Sequence, residues 1–217
     1  MKLAKRVAQL APSVTLAITA KAKEMRKSGI DVISFGAGEP DFDTPGNIKE
    51  AAVEAIKRGF TKYTPASGTP ELKKAICEKL KRDNSLEYTP EEIVVSCGAK
   101  HALYNIFQVL CDAGDEVIIV SPYWVSYPEM VRLAGAEPRF VKAPEKDGFV
   151  PDPALIEKSI SKNTKAIIIN SPSNPTGAVI GEERLRKIAE IAAKAKFSSY
   201  PMKYTKNLFM APISTSL

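Results

Sequence analysis

Three short stretches combine residue types suited to a flat, negatively charged ligand. In "VVSCGAKHA", residues 94–102, β-branched residues give way to Gly98 and Ala99 and then to helical spacing. Free N–H groups at a helix start attract an anion, small residues let a phosphate approach the backbone, and Lys100 adds positive charge. The alternative is a tight turn without a ligand, and the stretch is neither a P-loop nor a GxGxxG motif. In "SPYWVSYP", residues 121–128, Tyr123, Trp124 and Tyr127 form an aromatic set. Such a set either stacks on a heterocycle or packs under its loop as core. In "NSPSNPTG", residues 170–177, Asn170 and Asn174 flank a loop stiffened by prolines. Asn174 can donate a hydrogen bond to a hydroxyl or an oxyanion, and an Asn–Pro bond can be cis; the alternative is a plain turn. A phosphate seat, a stacking ring and a positioned amide together suit a phosphorylated aromatic cofactor. His101, the only histidine, follows the phosphate seat, where a surface or packing role competes with a general-base role.

The elements that must position these residues read as alternating helices and strands. Residues 14–28 carry helical spacing and stop at Gly29. "DVISF" reads as a short strand or extended segment, and "GAGEPDFDTPG" as turn chemistry. Thr44 as N-cap and Pro45 as first helical residue open a helix over 46–58. Thr69, Pro70 and Glu71 open another, running to about Asp83. "EIVVS" (92–96), "EVIIV" (116–120), "EPRFVK" (137–142) and "KAIIIN" (165–170) read as strands. Helical segments separate them, the third capped by Asp152 and the last being "GEERLRKIAEIAAKAK". Strands apolar on both faces, alternating with helices, predict an α/β fold with a parallel sheet covered on both sides. In such sheets ligands bind at the carboxyl ends of the strands, where all three stretches fall.

Composition narrows the function classes. The 217 residues are 44% hydrophobic and 26% charged, enough for a packed core. The net charge of +6 comes from lysines interleaved with glutamates, a pattern of solvated helix faces rather than a nucleic-acid stripe. No run of apolar residues is long enough to span a membrane, and the start lacks the apolar stretch of a secretory signal. Cys77, Cys97 and Cys111 are odd in number and lack zinc spacing, which points to a reducing cytoplasm and to cysteines buried in the core.

Beyond spacing, "GAGEPDFDTP", "KYTPASGTPELKKAI", "GDEVIIVSPYWVSYPEMVRLAG", "GFVPDP" and "NSPSNPTGAV" together resemble the pyridoxal-phosphate aminotransferases of the aspartate aminotransferase class, fold type I. The resemblance runs to about Lys196. It implies a three-layer α/β sandwich with a mostly parallel sheet, the large domain of that family, here incomplete. It implies a division into an N-terminal arm and small-domain contribution (1–45), a partial cofactor-binding domain (46–196) and an aberrant, disordered tail (197–217). By resemblance, Gly98, Ala99 and Lys100 seat the phosphate of pyridoxal 5′-phosphate. Trp124 stacks on its ring, and Asn174 bonds the ring oxygen near the substrate carboxylate, with Asn174–Pro175 cis. Gly38 lines the substrate's carboxylate side, and Tyr63 reaches the phosphate of a partner subunit in a homodimer. His101 stands where related sequences commonly have glutamine. The implied reaction moves an amino group from an amino acid, aspartate or a relative, to a 2-oxo acid. Other fold type I enzymes, a carbon–sulfur lyase or an aromatic aminotransferase, share this half. A non-catalytic phosphate-binding fragment and a cofactor-binding regulator are the readings outside enzymology, although no helix-turn-helix segment precedes the domain.

No catalytic residue is assigned. The lysine that family members bond to the cofactor, the aspartate that protonates its ring and the arginine that clamps the substrate all belong downstream of residue 196. The expectation for the 217-residue chain is no transamination and no covalently held cofactor. Three later strands of the family sheet are also expected to be lacking, which strips "EIVVS" of its neighbours and leaves an apolar edge beside "KAIIIN". Residues 197–211, "FSSYPMKYTKNLFMA", carry no strand signal. Reverse-translated with allowed codons and read one base earlier, they give ILIISDEIYEKLVYG, the strand and SDE-x-Y motif that the family pattern requires. Third-position bases are free in that reading and the others are fixed by the residues. A one-base slip at or just before codon 196 is therefore expected. Resequencing the gene checks it: an open frame encoding that strand is expected, whereas clean reads with no such frame refute the slip.

Overall fold

A computed structural model describes residues 4–8, 10–36, 38, 40 and 42–195. The expectations for residues 197–217 lie outside these. The chain divides into two compact units. One holds the described residues up to Ala11 together with those from Lys100 onward, and the other holds Pro12–Ala99.

The unit that begins at Lys100 is built on three strands, β1 (Glu116–Ser121), β2 (Glu137–Lys142) and β3 (Thr164–Ile168), all parallel in the order β2-β1-β3. Glu116–Ser121 lie opposite Glu137–Lys142, and Val117–Ile119 lie opposite Ala166–Ile168, after an irregularity between Glu116 and Val117. The amino end of β1 is tied to its neighbours through Glu116, whose carboxylate accepts from Ser161 Oγ (2.6 Å) and pairs with Arg139 (3.3 Å).

Alternation along β1 sends side chains to both faces. Val117 and Ile119 join Leu103 and Phe107 of α5 (Ala99–Leu110) and Tyr127, Met130 and Val131 of α6 (Ser126–Leu133). Ile118 enters a second cluster with Val141, Ile167, Ile156 of α7 (Pro153–Ser159) and Ile188 of α8 (Glu182–Lys194). Two helical layers thus cover a central sheet, the three-layer α/β arrangement the sequence predicts. Phe107, Ile118, Ile156 and Ile188 are fully buried, each contributing about 1.5–3 kcal/mol of hydrophobic stabilisation. The chain's first helix, α1 (Lys5–Ala8), belongs to this unit.

The Pro12–Ala99 unit carries α2 (Val14–Lys27), α3 (Gly46–Lys57) and α4 (Pro70–Asn84). The Ser13 hydroxyl caps α2 by accepting from Leu16 N–H, and Thr69 caps α4 by accepting from Leu72 N–H. Gly68, just before α4, has φ +103°, and a Cβ there would lie 2.5 Å from the Val95 side chain. No other residue fits that turn, because both the backbone and the space exclude a side chain.

Several expectations need correction. α3 begins after Pro45, which is itself the cap position and offers no side-chain bond; Thr44 instead donates its N–H to Asp43. "DVISF" forms no strand, and Ile33 and Phe35 are exposed. "EIVVS" is not a strand: Pro90–Glu92 form a 3-10 turn, Ile93 is extended, and residues 93–96 have no strand partner among the described residues. β-branched composition gives a strand only where a neighbour accepts its hydrogen bonds, and here Val95 N–H finds Ser67 O instead (2.9 Å). β3 stops at Ile168, so Asn170 lies beyond the ladder. Cys97 is exposed rather than buried, and Cys77 is half-buried.

Cys111 is buried at the end of α5, as expected, and burial with nearby Asp115 pushes its thiol up to about 11. A thiol of that pKa is protonated at about pH 8, and only the thiolate alkylates. Native protein treated with iodoacetamide at that pH is expected to leave Cys111 unmodified by peptide mass spectrometry, and denatured protein to lose the protection. Rapid native labelling of Cys111 contradicts its placement.

Candidate functional site

Two loops leave the carboxyl ends of neighbouring strands. One follows β1 through the cis Ser121–Pro122 bond to Tyr123 and Trp124; the other follows β3 through cis Ser171–Pro172 and cis Asn174–Pro175. Because β1 and β3 are parallel and adjacent, both loops emerge at the same edge of the sheet.

The aromatic residues divide between packing and presentation. Tyr127 is buried in the core, and burial raises its phenol pKa. Tyr123 stacks on Phe140 of β2, with ring centroids 5.0 Å apart. Trp124 is half-buried. It meets the Tyr127 ring edge-on at 5.4 Å, and the Lys100 ammonium lies over its ring 5.0 Å from the centroid. An ammonium over the indole face is attracted by the ring quadrupole, by about 0.5–1 kcal/mol at an exposed site. The structure therefore brings Lys100 and Trp124 together, uniting two of the sequence-predicted stretches.

The third stretch closes on itself. Ser173 and Ala178 bond across the loop (2.9 Å), and Gly177 N–H donates to Ser173 O (2.7 Å). Asn174 is exposed at the tip. Asn170, in the amide orientation that satisfies both ends, donates to Pro172 O (3.0 Å) and accepts from Asn174 N–H (3.1 Å) and the Tyr127 hydroxyl (3.3 Å). Asn170 and Tyr127 thus join the β3 loop to α6. Behind the loops, Tyr123, Tyr127, Phe149, Asn170 and Asn174 line a cavity of about 20 Å³. That is room for one water, so any ring-sized ligand would sit outside it, on the loop surfaces.

Gly98 precedes α5 with φ +82°, and a Cβ there would meet nothing within 4 Å. The left-handed backbone favours glycine, and the open space leaves room for a ligand atom. Helix α5 has no acidic residue in its first turn, which contains Ala99, Lys100 and exposed His101. Its first N–H groups lack acceptors within the helix, so they suit an anion. Gly38 and Tyr63 belong to the Pro12–Ala99 unit, and both are exposed. The bridging role of Asn170 is the feature that sequence alone does not disclose, since its type and position are equally those of a turn residue.

A strand-end aromatic, a strand-end asparagine and a helix start without acid suit a ligand with an anionic group and a flat ring. The sequence pattern of the family described as aminotransferase class I and II matches residues 30–198, and the chain belongs to that family. Members of this family depend on pyridoxal 5′-phosphate. The aspartate aminotransferase of Bacillus sp. (strain YM-2) is 58% identical over 190 residues, covering 88% of this chain and 48% of that protein. The aspartate/prephenate aminotransferase of Thermus thermophilus is 51% identical over 195 residues, covering 90% of this chain and 51% of its own. A solved Thermus thermophilus aspartate aminotransferase with maleate superposes with a TM-score of 0.89 at 51% identity, covering 91% of this chain and 52% of that one. The chain therefore spans about half the length of the curated relatives it matches.

Trp124 is the only tryptophan, so its fluorescence reports this site alone. Lys100→Ala is expected to change the emission intensity or maximum, and Lys100→Arg, which keeps a cation, to preserve it. Identical spectra for wild type and Lys100→Ala contradict the contact.

Proposed function

We propose that this chain is the cofactor-seating half of an aminotransferase that transfers an amino group from aspartate, or a closely related amino acid, to a 2-oxo acid. The observation that carries the reading is the pairing of Lys100 with Trp124 beside the Asn174 loop, at one edge of a parallel sheet. Gly98, Ala99 and Lys100 hold the phosphate of pyridoxal 5′-phosphate through the helix start and the Lys100 charge, Trp124 lies against its ring, and Asn174 donates to its ring oxygen. These residues fit the group: the helix start carries no acid, the space over Gly98 is open, and the Asn174 tip is exposed. When bound, the cofactor supplies a carbonyl that accepts an amino group and a ring that withdraws electrons.

The remaining tasks fall to the protein. The N–H groups of the α5 start neutralise phosphate charge without any proton leaving the protein. The indole excludes water from one face of the ring and fixes its plane. The Asn174 amide has hydrogens to give and no charge to compete with the substrate carboxylate, so it orients without repelling. Gly38 lines the carboxylate side, and Tyr63, from the partner of a homodimer, reaches the phosphate. Residues 1–45 supply the arm and small-domain contribution, and 46–196 the partial cofactor domain. The maleate of the solved Thermus thermophilus relative is a four-carbon dicarboxylate, which supports aspartate as donor. Among the described residues no helix is long and apolar enough to cross a membrane. An odd cysteine count without metal spacing supports a reducing, cytoplasmic setting.

Substrate profiling of the protein encoded after frame restoration tests the reading. Amino transfer from aspartate to a 2-oxo acid is expected to be the fastest reaction. Trp124→Ala is expected to lower kcat/KM by at least about tenfold, through lost ring stacking. Faster carbon–sulfur cleavage, or no amino transfer with any donor, overturns it.

A further inference from the structure

We propose that Asn170 is a positioning residue that sets both ligand-facing loops at once: Asn174 through its backbone and Trp124 through Tyr127. The inference deepens the cofactor-seat reading and rests on it.

Asn170 is anchored from behind. Ile167, Ile168 and Ile169 are buried on the two faces of the sheet, so the chain reaches Asn170 with its direction fixed by the core. Its amide then makes three bonds, two within its own loop and one to α6. It donates to Pro172 O and accepts from Asn174 N–H and the Tyr127 hydroxyl. A carboxamide alone among small side chains offers both this donor and an acceptor with two lone pairs in one plane. Aspartate keeps the two accepted bonds and loses the donated one, and alanine loses all three.

Each bond controls a different ligand group. The Asn174 side chain is exposed and makes no hydrogen bond to another described residue, which leaves its amide available to a ligand. Its Cα is therefore held by the backbone, and the bond from Asn174 N–H to Asn170 ties that backbone to the sheet. Tyr127 is buried, so its hydroxyl needs an acceptor, and Asn170 supplies one. The same phenol ring meets Trp124 edge-on, with planes at 87°, so fixing the hydroxyl limits where the indole can lie. The Lys100 ammonium on the indole extends the chain of contacts to the first turn of α5. One amide thus couples the stacking ring to the amide donor.

The test uses the complete 217-residue chain, its single tryptophan and pyridoxal 5′-phosphate itself as probe. Asn170→Ala is expected to displace the Asn174 amide resonance in a nitrogen-15 correlation spectrum and to alter Trp124 emission. Tyr127→Phe is expected to alter the emission and leave the Asn174 amide in place. Asn170→Asp is expected to restore the Asn174 amide position, and Asn170→Leu, of similar volume but without polar atoms, to leave it displaced, whereas a merely space-filling role predicts the wild-type position in both. Where wild type binds the cofactor, seen as Trp124 quenching, Asn170→Ala is expected to weaken it about fivefold, the loss of one hydrogen bond's worth of positioning. Where wild type does not bind it, the cofactor-seat reading fails for this chain, and amide position and emission still decide the role of Asn170. Wild-type spectra in Asn170→Ala overturn the proposal. If Asn170→Ala does not fold, Asn170→Asp decides: loss of the Asn174 amide position in that variant overturns it too.

Discussion

The parallel pairing of β1 with both neighbours is the interaction on which the rest depends. β2 and β3 do not pair with each other; among the described strands each has its ladder hydrogen bonds with β1. β1 also supplies apolar residues to both faces, Val117 and Ile119 to one cluster and Ile118 to the other. β3 does the same, with Ala166 and Ile168 in the first cluster and Ile167 in the second, so β1 and β3 together join the helical layers. The Trp124 loop leaves its carboxyl end, and the Asn174 loop leaves that of β3, its ladder partner. Site geometry is inherited from strand register, which is why Tyr127 and Asn170, far apart in the chain, can share a hydrogen bond.

The site itself is governed by electrostatics rather than by a deep cavity. Its parts are a helix start without acid, an ammonium on an indole face and an exposed carboxamide. Each favours a ligand that is anionic at one end and aromatic at the other. The chain belongs to the aminotransferase class I and II family and spans about half the length of the curated relatives it matches.

Much of this was legible in sequence because the signals were local or redundant. Thr69 before Pro70 and Asp152 before Pro153 are caps whose chemistry does not depend on distant residues, and both act as read. "EVIIV" and "EPRFVK" become strands because they have each other as partners. "EIVVS" has a similar composition without a strand partner among the described residues, and composition cannot report whether a neighbour exists. Thr44 misled for a related reason: a good capping residue one position early is overruled by where the helix begins, after Pro45. Within the site, Gly98, Lys100, Trp124 and Asn174 stood out by type and by position at strand ends. The Lys100–Trp124 contact and the Asn170 bridge did not, because each links segments that only the fold brings together. Tyr127 shows the limit from the other side, an aromatic that looks like a stacking surface and turns out to be core with one polar end.

The most direct test of a sheet centred on β1 is amide hydrogen–deuterium exchange across the whole chain, resolved to short peptides. Backbone groups paired on both sides and buried on both faces open only with the unit as a whole. The slowest exchange is expected over residues 117–120, with residues 93–96 exchanging as quickly as the loops apart from the bonded Ile93 and Val95. Protection over 93–96 equal to that of 117–120, or rapid exchange throughout 117–120, contradicts the β1-centred sheet and with it the placement of both ligand-facing loops.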